Sequence, residues 1–171
     1  MLKKISLSIL LLSPLLLSAN PKPFDLEINK STITDLNNKY SSEYIGMNQY
    51  SEGKMFKINI NELKFDGLEE AIAIYSKDEV LKAILLKLPK NKFDYIFKSL
   101  ESKYKIINKE IPFVGDKSAK FIDDTTDIAV SAPHMSFSMS LEYINQDLYK
   151  SFRKTLNQNE EEKKKKERSQ L

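Results

Sequence analysis

From Met135 to Tyr143 the chain reads Met-Ser-Phe-Ser-Met-Ser-Leu-Glu-Tyr, with an apolar residue at every second position. Successive side chains on an extended strand point to opposite faces, so a period of two sorts this segment cleanly. Met135, Phe137, Met139, Leu141 and Tyr143 take one face, and Ser136, Ser138, Ser140 and Glu142 the other. On a helix the same residues would scatter around the axis and bury nothing. A strand with one apolar and one polar face belongs in an antiparallel sheet that has one side packed and one side wet.

Other segments supply partners. Phe24 to Ile28 alternates, as does the stretch from Met55 to Ile60, while Gly46, Asn48 and Gly53 mark a loop between them. Asp66-Gly67 is a tight-turn dipeptide ahead of the next strand. Glu70–Tyr75 and Val80–Leu88 form a hairpin across Ser-Lys-Asp-Glu, and Pro89 ends it. Ile106–Ile111 reads as extended, and Lys120–Ile122 pairs with Asp127–Val130 across Asp-Asp-Thr-Thr.

Three helices punctuate the strands. Ser31-Thr32 can cap one that carries Ile33, Leu36 and Tyr40, with Asp35 near its positive end. Asn91 is expected to cap a second with Phe93, Ile96, Phe97, Leu100 and Tyr104 spaced three and four apart on one face. The third begins near Gln146 and docks through Leu148, Phe152 and Leu156. The spacing Ile33…Leu36…Tyr40 returns as Phe97…Leu100…Tyr104, each time ahead of strands. Two degenerate helix-plus-sheet halves would produce that echo, as would the sameness of short amphipathic helices. The expected fold is a single α+β domain: a twisted antiparallel sheet of about seven to nine strands, with helices at about 31–40, 91–104 and 146–166 packed mainly on one face.

The start of the chain has a different character. Lys3 and Lys4 lead into an apolar run from Ile5 to Leu17, with Pro14 inside it and small residues at Ser18-Ala19. The run is shorter than the ~20 residues that cross a bilayer, and the pattern is that of a cleaved export signal. This divides the chain into a signal peptide at 1–19, a globular domain at 20–156 and a charged helical tail at 157–171. The expected address is periplasmic or secreted. No cysteine occurs, so no lipid attaches at the cut and no disulfide staples the fold. The formal net charge of +3 is owed to the ends, since residues 20–152 are slightly acidic on their own. Nucleic acid is therefore not expected as a partner. In the tail, Glu160, Glu161 and Glu162 stand four residues before Lys164, Lys165 and Lys166, an order that supports an exposed helix. Lys163, Lys164, Lys165 and Lys166 could also touch an anionic membrane surface or an acidic partner weakly.

The chemistry-bearing residues are few. His134 is the only histidine, so histidine pairs are ruled out as metal ligands. Ser136 and Ser138 follow it, but residues two apart on a strand lie ~6.5–7 Å apart, too far for direct proton transfer. Asp123, Asp124, Thr125, Thr126 and Asp127 are oxygen-rich but lack the glycine and distant glutamate of a calcium loop. No phosphate-binding glycine loop is present. No catalytic, cofactor or metal residue is assigned. The candidate partner surface consists of His134, Ser136, Ser138 and Ser140, with Lys163, Lys164, Lys165 and Lys166 in the tail.

Phe24-Asp-Leu-Glu-Ile-Asn-Lys-Ser-Thr-Ile33, Phe65-Asp-Gly-Leu68, Ile111-Pro-Phe-Val-Gly115 and Ala132-Pro-His-Met-Ser-Phe137 together resemble an uncharacterised family of small exported Gram-negative bacterial proteins. That resemblance implies export and no particular activity. The opening is also similar to envelope proteins of the outer-membrane assembly lipoprotein type, from which the absence of a lipid cysteine departs. The expectation is an exported, non-catalytic accessory or binding protein with an envelope protein partner and no cofactor. The alternatives are a small-ligand-binding protein or hydrolase-like enzyme with a pocket between sheet and helices, or a secreted enzyme inhibitor.

Overall fold

The computed structural model describes residues 20–170, and the predicted export signal at 1–19 lies outside them. One sheet of eight antiparallel strands forms the body, in spatial order β1-β2-β3-β4-β8-β7-β6-β5. Its strands are β1 Ser42–Asn48, β2 Glu52–Ile58, β3 Glu70–Ser76, β4 Leu81–Pro89, β5 Lys105–Glu110, β6 Lys117–Asp123, β7 Thr126–Ala132 and β8 Ser138–Asn145. The helices are α1 Ile33–Lys39, α2 Phe93–Glu101 and α3 Gln146–Arg168.

The strand order explains the sequence echo. Each of α1 and α2 is followed by a four-strand meander, and the two meanders join through their last strands, β4 and β8. Tyr40 and Tyr104 hold equivalent places, each just before the first strand of its half. Both outer strands also carry a bulge, β1 at Ile45 between Tyr44 and Gly46, and β5 at Ile107 between Ile106 and Asn108. A bulge twists an edge and disrupts its row of free backbone groups, which discourages pairing with another chain.

Residues opposite one another in a ladder share a face. Leu86 faces Leu141, Ile84 faces Tyr143 and Leu88 faces Met139, and this row continues outward to Val130, Ile128 and Phe121. α1 and α2 cover that face through Ile33, Leu36, Phe93, Ile96, Phe97 and Leu100, all buried. Phe93 stacks on Phe97, and the Phe97 ring meets Phe121 at 5.9 Å between centroids. On the other half, Tyr44, Phe56 and Tyr75 make an edge-to-face chain at 5.8 and 5.9 Å. α1 is held by a capping box: the Thr32 hydroxyl accepts from the Asp35 N–H, and the Asp35 carboxylate accepts from the Thr32 N–H at 2.7 Å. The hydrogen bonds that the Thr32 N–H and hydroxyl donate to it hold the Asp35 carboxyl below the ordinary aspartate range.

Four expectations need correction. Phe24–Ile28 is not a strand: Pro23–Asp25 forms a 3-10 turn with Phe24 and Asp25 at positive φ. Leu26 and Ile28 are nevertheless fully buried. The segment docks by side chains, and the backbone reaches β4 only just beyond it, where the Asn29 N–H donates to the Leu81 carbonyl and the Leu81 N–H to the Ser31 carbonyl. Second, the presumed loop at Gly46, Asn48 and Gly53 is mostly strand: Gly46 and Asn48 lie in β1, whose bulge breaks the alternation that would have revealed it, and Gly53 lies in β2. Third, Asn91 does not cap α2; it lies within a 3-10 turn at Lys90–Lys92 that runs straight into the helix. Fourth, α3 leaves the end of β8 and packs on the opposite face of the sheet from α1 and α2. Its Leu148, Tyr149 and Phe152 lie beside Ile74, Ala83, Leu85 and Ile144.

The Tyr75 hydroxyl is buried without a hydrogen-bond partner, a costly arrangement. Burial pushes the Tyr75 and Tyr143 hydroxyls well above the ordinary tyrosine range. Their folded values exceed the unfolded value of ~10, so their contribution to stability is intact below that pH and is lost as pH rises beyond it. Tyr75→Phe is expected to leave stability at pH 7 unchanged or raised by about 1 kcal/mol, and to flatten the loss above pH ~10. Urea unfolding at pH 7 and pH 11 checks both; a clear loss at pH 7 would mean that the hydroxyl is satisfied.

Candidate functional site

The antiparallel topology sends the β5–β6 loop (residues 111–116) and the β7–β8 loop (residues 133–137) out of the same end of the sheet. Lys117 pairs with Ala132 where the two loops leave it, and the His134 N–H donates to Asp116 Oδ1 at 2.6 Å. The β7–β8 loop is held from its other side by Lys90. The Lys90 N–H donates to the Phe137 carbonyl at 2.8 Å, and its ammonium donates to the carbonyls of His134, at 2.9 Å, and Pro133. Within the loop, Ser136 Oγ accepts from the Ser138 N–H at 3.0 Å and donates to the Ser138 carbonyl at 2.8 Å.

These backbone restraints hold the loop while its apolar side chains point to solvent. Met135 is 92% exposed and Phe137 96% exposed. In the neighbouring loop Phe113 is fully exposed and Val114 largely so. A scattered exposed leucine is ordinary, but two phenylalanines, a methionine and a valine at the tips of two tied loops form an apolar rim. The alternation from Met135 to Tyr143 therefore misassigned two residues: Met139, Leu141 and Tyr143 are buried, Met135 and Phe137 are not. β4 ends at Pro89, opposite Ser138, so no strand continues alongside residues 135–137.

The charges bordering the rim are of both signs and largely matched. Lys92 pairs with Asp66 at 2.9 Å, Lys117 with Asp94 at 3.3 Å and Lys87 with Glu69 at 3.4 Å. The Ser138 hydroxyl donates to Glu69 at 2.9 Å. The Asp66 carboxyl is held below the ordinary range by Lys92. A surface of this kind lacks the excess of cations that an anionic bilayer would select.

Of the sequence-predicted surface, His134 and Ser136 lie within the rim's loop, while Ser138 and Ser140 are on β8. Lys163, Lys164, Lys165 and Lys166 stand on the exposed far part of α3, so the structure does not bring the two groups together. There Lys164 pairs with Glu160 at 3.0 Å, the first of the expected pairs, and also approaches Glu161. The rim residues Phe113, Val114, Met135 and Phe137 were missed. Their signal was present: both apolar clusters follow a proline, Pro112 or Pro133, at which an extended segment turns into a loop.

Elsewhere on the helix-covered face, Tyr95, Ser99, Tyr104 and Tyr143 line a cavity of ≈ 280 Å³ at the end of α2. Burial raises the Tyr104 and Tyr143 hydroxyls, so neither serves as a base near neutral pH. Among the described residues no group of three His, Cys, Asp or Glu side chains is placed to hold a metal ion, and no helix is long and apolar enough to cross a membrane. No family model, curated protein or solved structure matches the chain.

Proposed function

We propose that the protein is an exported, non-catalytic binding protein that engages an envelope protein partner through the rim of Phe113, Val114, Met135 and Phe137. One observation carries this reading: the loop bearing Met135 and Phe137 is tied down by Lys90 on one side and Asp116 on the other, yet its large side chains contact solvent. A loop already fixed in place loses little conformational entropy on association, so its apolar tips are poised to fill pockets on a partner. Exposed aromatic anchors of this type carry most of the energy in many interfaces. The mixed, mutually paired charges around the rim suit a protein surface better than a membrane. Export is supported by the composition of residues 1–19, and predicts a mature chain whose N-terminal sequencing begins at Asn20.

A photo-crosslinking residue placed at Phe137 should capture a discrete envelope partner, whereas one placed at Tyr95, also exposed but on α2, should not. The double variant Phe113→Ser/Phe137→Ser should abolish that product, weakening association by about 2 kcal/mol or more for each anchor, without lowering the melting temperature. Identical products from both positions, or an unchanged product from the double variant, would remove the rim from the interface.

A further inference from the structure

At the opposite end of the sheet lies a second feature, unrelated to the rim. β8 ends at Asn145, whose side chain caps α3 by accepting from the Asp147 N–H at 3.1 Å. The helix then turns over the face not covered by α1 and α2. Between them is a cleft of ≈ 280 Å³ whose floor is Ile74, Ala83, Leu85, Ile144 and Glu142. Leu148, Tyr149 and Phe152 form one wall, and Tyr50 from the β1–β2 turn closes the other, its ring meeting Phe152 edge-on at 4.9 Å.

Glu142 is the one charged residue of this largely apolar lining, to which Asn48 adds an amide. Its directly opposite neighbours are Leu85 and Ala129, and the cation diagonal to it on β4, Lys87, is paired with Glu69 at 3.4 Å. Among the described residues it makes no hydrogen bond and no ion pair. The cations of the same row are engaged elsewhere: Lys57 pairs with Glu70 at 3.1 Å, and Lys120 pairs with Asp127 at 3.7 Å while lying over the Tyr149 ring. Arg153 is likewise occupied, stacked on Tyr149 at 4.7 Å. A half-buried carboxylate beside apolar surface costs free energy unless a positive group meets it. Among the described residues no cation pairs with it.

We propose that the cleft under α3 is a binding site for a small organic amine, its ammonium group meeting Glu142 and its apolar or aromatic body lying on Ile74, Leu85 and Ile144 against Phe152. Carboxylate, apolar floor and aromatic wall together select a cation joined to a hydrophobic body and disfavour an anion of the same shape. The cleft's ≈ 280 Å³ has room for a body of at least one ring.

The test is a titration of the full-length mature protein with phenethylamine, its neutral analogue phenethyl alcohol and the anion 3-phenylpropionate, followed by amide chemical shifts. Phenethylamine should perturb Ala83, Leu85, Ile144 and Phe152, and bind at least about tenfold more tightly than the carboxylate, or ~1.4 kcal/mol. Glu142→Gln conserves shape and should reduce phenethylamine binding to the level of the alcohol while leaving the alcohol unchanged. Equal affinity for amine and carboxylate, unaltered amine binding in Glu142→Gln, shifts confined to the rim, or no binding at millimolar amine would each overturn the proposal.

Discussion

Gly53→Ala is expected to destabilise the protein by about 3 kcal/mol or more, a large effect for the addition of one methyl group. Gly53 sits at the start of β2, where the β2–β3 register shifts between Glu52 and Met55. A Cβ at this position would fall inside the van der Waals envelope of the Tyr75 and Ser76 carbonyls. Those are backbone atoms of β3, itself paired to β4 along its length, so no side-chain rotation relieves the overlap. Gly46 provides the contrast. It lies at φ +130°, where alanine is strained, but an added methyl would meet nothing closer than Met55 Cε at 4.0 Å. Gly46→Ala should therefore cost less, about 1–2 kcal/mol of backbone strain. Urea midpoints of the two variants order these effects, and a Gly53→Ala midpoint within error of wild type would show that β2 and β3 do not meet this closely.

Phe121→Ala should lose about 3–5 kcal/mol, the range for removing a buried phenylalanine. Phe121 is fully buried on β6, flanked in the ladder by Ile106 and Ile128, and its ring reaches Phe97 on α2. Its removal opens a cavity at the junction of helix and sheet in the second half, where few residues can move to fill it. Phe137→Ala should change stability by no more than a few tenths of a kcal/mol, because that ring packs against nothing in the folded chain. The difference between two phenylalanine truncations is the measurement that separates packing from presentation. A loss below 1 kcal/mol at Phe121 would contradict the docking of α2.

The sequence was most legible where a period coincided with a partner. β7 and most of β8 alternate and lie inside the sheet, so pattern and burial agree, while β3 and β4 are apolar runs legible as a hairpin from the polar turn between them. α2 was readable because its four buried residues recur at helical spacing. β1 was hidden, since an edge strand with a bulge has neither a consistent inner face nor strict alternation. The Phe24–Ile28 segment shows the converse case, in which correct burial of Leu26 and Ile28 coexists with the wrong backbone, because alternation does not by itself supply a ladder partner. The rim was misread for the same reason. Alternation at Met135 and Phe137 implies burial only while a neighbouring strand is present, and β4 has already ended. His134 and Ser136 lie in the loop that carries the exposed apolar tips, and Glu142 looked like an ordinary wet-face residue until α3 was placed over it.

Joining the halves through β4 and β8 has a kinetic consequence. Every other strand pairing in the sheet connects neighbours along the chain, whereas this one must bring the end of the first meander to the end of the second. Loop closure makes such a distant pairing slow, so each meander is expected to form early and the seam to zip last. Pro89 opposite Ser138 and the Lys90 bond to Phe137 lie at one end of that same seam. The apolar tips are therefore fixed in their outward pose only when the final step is complete, and a partner that reads them would be testing whether the whole chain has finished folding.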